Sequence, residues 1–114
     1  MSFAVYWTNT AQNDLAGIVE YIYRESPQNA RNVFDSIKSQ AENLNTFPQR
    51  GRIVPELSDV GVLSYRELII DRWRLVYRID GRKVFVMTVI DARQNAEDIL
   101  FRRLVEKSEQ SGSK

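Results

Sequence analysis

The chain has 114 residues, 43% apolar and 27% charged, with a formal net charge of +1 and neither cysteine nor histidine. That is enough chain for one hydrophobic core and too little for two, and it excludes a disulfide framework, a thiolate or imidazole nucleophile, and the usual Cys/His zinc sites. No apolar run approaches ~18 residues and the opening MSFAVYW lacks the basic flank of a signal peptide, so the expectation is a soluble cytoplasmic domain with no membrane partner.

Phe3 to Trp7 (FAVYW) is rich in β-formers and predicts a first strand, ended by the polar run Thr8, Asn9, Thr10, which also supplies N-cap oxygens. From Ala11 to Glu25, Leu15, Ile18, Val19 and Ile22 recur at i, i+3, i+4 and i+7, one face of a helix. Ser26-Pro27 reads as an N-cap followed by proline at the first helical position, where its missing N–H costs nothing. Ala30, Val33, Phe34, Ile37, Ala41 and Leu44 continue helical spacing to about Asn45, and Phe47-Pro48 stops it. The two helices are close enough in sequence to form a hairpin.

The segment PQRGRIVPELSDVG, Pro48 to Gly61, has two prolines and two glycines and no period, and it predicts an ordered loop. Three strands follow at about Ser64–Ile70, Arg74–Ile79 and Lys83–Ile90, joined by Asp71-Arg72 and by Asp80-Gly81-Arg82, turns that make the trio an antiparallel meander. Asn95 then caps a last helix from Ala96 to about Lys107. The order β-α-α-β-β-β-α is α+β: a helix hairpin on a small, mainly antiparallel sheet, one domain over residues 1–107 with a disordered tail over 108–114.

The charge is unevenly spread. Residues 1–46 carry 3 basic and 5 acidic groups, whereas residues 47–103 carry 11 basic and 8 acidic, so the positive potential belongs to the sheet half. The interspersed acids argue against a generic DNA coat, which needs a sustained basic stripe. Period two puts Trp73, Leu75, Tyr77 and Ile79 on one strand face and Arg74, Val76 and Arg78 on the other. If the helices cover the first face, Arg74 and Arg78 point to an open side, where Arg66 and Arg93 can join them in a basic surface for an acidic or phosphate-bearing partner. The competing reading is that Glu67, Asp71, Asp80 and Asp91 pair with these arginines as ordinary cross-strand ion pairs. Gly51 is read as serving turn geometry, with Arg50 and Arg52 beside it solvated, and Trp7 and Trp73 as core residues.

Four runs, WTNTAQNDLAGIVEYI, FPQRGRIVPEL, RELIIDRWRLVYRIDGRKVFVMTVIDAR and NAEDILFRRL, resemble in order and spacing the type II toxins of the RelE/ParE superfamily, and the resemblance covers nearly the whole chain. It implies the fold argued above, no cofactor, and a cognate antitoxin whose C-terminal segment wraps the toxin, with operator DNA bound only through that complex. RelE-like members cleave messenger RNA on the ribosome without metal, using basic residues and a late tyrosine or histidine. By resemblance Arg66, Arg74 and Arg93 occupy three of the basic places, but Leu68 stands where another basic residue belongs and Ile99 where the tyrosine does. The runs WRLVYRID, VIDAR and TNTAQNDL are similar to the ParE-like branch, which poisons DNA gyrase by trapping its cleaved-DNA state with no chemistry of its own. The resemblance therefore implies a ParE-like gyrase poison with a ParD-like antitoxin. On this reading Arg66, Arg74, Arg78 and Arg93 bind target or antitoxin and no residue is catalytic. A ribosome-dependent endoribonuclease using Arg66, Arg74 and Arg93 is the alternative, and a silent regulator a third class.

Overall fold

The computed structural model describes residues 2–106. Strand β1 (Ala4–Trp7) leads into α1 (Asn9–Tyr23), and α2 (Pro27–Glu42) continues into a 3-10 turn at Asn43–Asn45. The Thr8 side chain, not those of Asn9 or Thr10, caps α1: its Oγ1 accepts from Ala11 N at 3.2 Å while donating to the Val86 and Met87 carbonyls of the neighbouring strand. One hydroxyl thus fixes the helix start to the sheet. Ser26 caps α2 through Asn29 N at 3.2 Å, with Pro27 at the first position, as its sequence predicts.

The meander is β3 (Tyr65–Ile70), β4 (Trp73–Asp80) and β5 (Lys83–Asp91), all antiparallel neighbours. Asp71 at φ 57° and Gly81 at φ 61° take the left-handed backbone that these two tight turns demand. Between Val76 and Tyr77 the pairing jumps from Thr88 to Val86, so Met87 is an extra residue bulged from β5. Two elements fall inside the segment read as a loop: β2 (Arg52–Ile53), antiparallel to β3, and the single helical turn α3 (Pro55–Ser58). They are too short to carry a period. The sheet order is β1-β5-β4-β3-β2, with β1 parallel to β5.

Apolar residues of α1 and α2 cover one sheet face. Leu15, Ile37, Ala41 and Leu44 pack on Leu68, Leu75, Tyr77, Val84, Val86 and Val89 in one buried cluster, and each fully buried Leu or Ile contributes about 1.5–3 kcal/mol against its exposed state. The other face is not open. Val76 and Ile90 are buried there against Val54, Leu57, Ala96, Leu100 and Leu104, supplied by the β2–α3 segment and by the last helical stretch. That stretch is α4 (Ala96–Leu100), capped by Asn95 Oδ1 accepting from Asp98 N, and continues as a π-helical turn over Phe101–Glu106. The expected disordered tail, residues 108–114, lies outside the described residues.

Candidate target-binding surface

The arginines do not share one open surface. β3–β4 register puts Arg66 opposite Tyr77, and so on the helix-hairpin face, whereas Arg74 sits opposite Ile69 and Arg78 opposite Tyr65 on the second face. Arg66 is half-buried and donates to the carbonyls of Gly51 (2.7 Å) and Gln49 (3.3 Å). It holds the segment before β2 in place.

Arg74 is only 6% exposed because α3 and α4 roof the face that the sequence leaves open. Its Nη1 and Nη2 donate in a fork to both oxygens of Glu56 (2.8 and 2.6 Å), and its Nε donates to Oε1 of Glu67 (2.7 Å). Arg52 Nε reaches the second Glu67 oxygen at 2.7 Å. Glu67, 1% exposed, is thereby satisfied on both oxygens, as a buried carboxylate must be. The Arg74 hydrogen bonds hold the Glu56 carboxyl below the usual range, and the two carboxylates raise Arg74 further above its own. Glu56 is therefore a counter-ion rather than a free base, and Arg52, solvated as expected, is also an ion-pair partner.

Gly51 has φ −78° and ψ 156°, a backbone open to any residue, so turn geometry does not explain it. Space does. A Cβ there would lie 2.5 Å from the Tyr77 hydroxyl and 2.6 Å from the Glu67 carbonyl. The Tyr77 hydroxyl donates to Pro48 O (2.6 Å) and accepts from Gly51 N (3.0 Å), and burial pushes its pKa up.

Arg93 is the exposed member, with 71% of its side chain accessible. It grips Asp91 through Nε and Nη2, and its backbone N–H adds a third hydrogen bond. These bonds bring the Asp91 carboxyl down to about 2. Arg72, which the sequence reading passed over as a turn residue, reaches the same carboxylate at 3.2 Å and lies 4.5 Å over the Trp73 ring. Two guanidiniums on one carboxylate leave this corner positive. Tyr21, 60% exposed on α1, is within electrostatic reach of Arg93. Arg78 lies 4.7 Å over the Phe85 ring, with Asp80 3.5 Å away. Of the competing cross-strand ion pairs, Arg74 with Glu67 is one, whereas Arg78 pairs with Asp80 on its own strand and Arg93 with Asp91 two residues before it. Trp73 is core, but Trp7 is half-buried beneath Lys38, at 4.9 Å.

A second polar cluster has no sequence signal beyond residue type. Asp14 Oδ2 accepts from Thr88 Oγ1 (2.6 Å) and Val89 N (3.0 Å), and Arg103 Nη1 donates to both Asp14 oxygens at 2.8 Å. It ties α1, β5 and the C-terminal turn together across 89 residues of chain. Among the described residues no group of three potential metal ligands comes together, and no helix is long and apolar enough to cross a membrane.

A five-stranded mixed sheet with a helix hairpin on one face and a short C-terminal helix on the other is the fold of the RelE/ParE superfamily. The chain superposes on a chain of the chromosomal ParDE toxin-antitoxin system of Pseudomonas aeruginosa with a TM-score of 0.65 at 20% identity, covering 80% of this chain and 97% of that one. For a chain of the RelBE2 toxin-antitoxin complex of Mycobacterium tuberculosis the TM-score is 0.53 at 22% identity, covering 80% and 99%. Residues 5–96 match the model of the ParE toxin of the type II toxin-antitoxin system parDE, and the chain belongs to that family. No curated protein matches it.

Proposed function

We infer that the protein is a growth-inhibiting toxin that poisons DNA gyrase in the cytoplasm and is neutralised by a cognate ParD-like antitoxin. The observation that carries this reading is the dispersal of the three arginines a metal-independent nuclease would need. Arg74 is buried between two carboxylates, Arg66 is on the opposite face bonded to backbone carbonyls, and Arg93 stands at a corner on Asp91. No single phosphate could meet all three. Ile99, the residue in the tyrosine's place, is half-buried against the second apolar cluster and brings no proton. A protein-binding poison needs none of this chemistry, only a rigid surface.

The Arg72–Arg93 corner with Tyr21 suits an acidic protein partner. The helix hairpin also exposes Tyr21, Tyr23 and Phe34, the kind of apolar surface that an antitoxin segment covers by folding on binding. Operator DNA is reached only through that complex.

Induction in growing cells tests the reading. Filamentation with DNA-damage signalling, abolished by co-expressing the antitoxin, is the expected result; an immediate stop in translation without damage signalling would transfer the assignment to the ribosome.

A further inference from the structure

Between the start of α1, the end of β4 and the C-terminal turn lies a cleft of about 620 Å³, within the range of small-molecule sites. Arg78 and Arg103 line it, and none of its lining residues is acidic. The Arg78 side chain makes no hydrogen bond among the described residues: its contacts are the face of Phe85 and, at 3.5 Å, the largely exposed carboxylate of Asp80. Arg103 spends only Nη1 on Asp14 and Thr88, which leaves Nε and Nη2 without a partner among the described residues. Arg74, by contrast, spends all three of its nitrogens on three carboxylate oxygens.

The remaining walls add to this. Asn9 and Thr10 open α1, where backbone N–H groups have no intrahelical acceptor, and no acid occupies that first turn. Met87, pushed out of register by the bulge, and Leu104 give the cleft an apolar side. Two guanidinium forks beside an apolar wall match an organic phosphate better than a bare anion.

We propose that this cleft binds a phosphorylated small molecule, its phosphate held by Arg78 and Arg103 and its organic part against Met87 and Leu104. The bound phosphate would bridge β4 to the C-terminal turn, so occupancy raises the cost of lifting that turn from the sheet. This holds whatever the toxin's cellular target.

Calorimetric titration of the full chain at constant ionic strength with phenyl phosphate, AMP and inorganic phosphate tests it. The expected result is that at least one of the two organic phosphates binds more tightly than inorganic phosphate. Arg78→Gln, which breaks no hydrogen bond, should weaken that binding at least about tenfold, the worth of a charged hydrogen bond. Asn9→Asp, which adds a negative charge to the cleft at a position where acids favour the helix, should weaken it too. Arg24→Gln, at the far end of α1, should bind as the parent does. The proposal is overturned if neither organic phosphate binds, or if inorganic phosphate binds as tightly. It is also overturned if Arg24→Gln weakens binding as much as Arg78→Gln, or if Asn9→Asp leaves it unchanged.

Discussion

Arg74 and Arg93 look equivalent in the sequence, since each follows an apolar run and each has an acid nearby, yet their surroundings make opposite predictions. Arg74→Ala strands Glu67, 1% exposed, with only Arg52 to compensate it, and should cost about 3–5 kcal/mol in urea unfolding. Arg93→Ala removes an exposed partner of Asp91 that Arg72 also serves, and should leave the urea midpoint close to the parent's while reducing toxicity. An Arg74 variant that is non-toxic yet fully stable would contradict this division. Asp91 adds a pH dependence. Its folded pKa of about 2 lies below the ordinary 3.8, so its contribution is fully present above the unfolded value and is lost as pH falls through the folded one. Stability should therefore fall between about pH 5 and pH 2, and less steeply in Asp91→Asn, as denaturation midpoints across that range would reveal. Period-two alternation placed Arg74 correctly on its strand, but the partners that bury it come from Glu56 and Glu67, 18 and 7 residues away.

At the scale of elements, the helices and the meander were legible because each has a period or a punctuating residue: Ser26-Pro27 at a helix start, Gly81 in a hairpin. The β2–α3 segment was not, because two paired residues and one helical turn carry no period. The parallel pairing of β1 with β5 was not either, since nothing local encodes a contact across some 79 residues. This second layer decides the site, because it roofs Arg74. Gly51 anchors the segment, so Gly51→Ala should drive a Cβ into the Tyr77 hydroxyl and loosen β2 and α3 together. Amide hydrogen exchange should show faster exchange at Arg52 and Val54, the positions that pair with β3, while α1 stays protected; unchanged protection there would mean that the close approach relaxes without consequence.

For the whole molecule, the two layers leave a positive corner at Arg72 and Arg93 and exposed aromatics on the helix hairpin, with Tyr21 where the two meet. Such a surface fits a chain that meets a target and an antitoxin as proteins rather than turning over a substrate. The most direct measurement is to add the purified chain to DNA gyrase, supercoiled plasmid and ATP, and to look for protein-linked linear DNA. The account predicts that it accumulates, is prevented by the antitoxin, and is diminished for Arg93→Ala. Failure to accumulate with protein that still arrests growth would contradict the account.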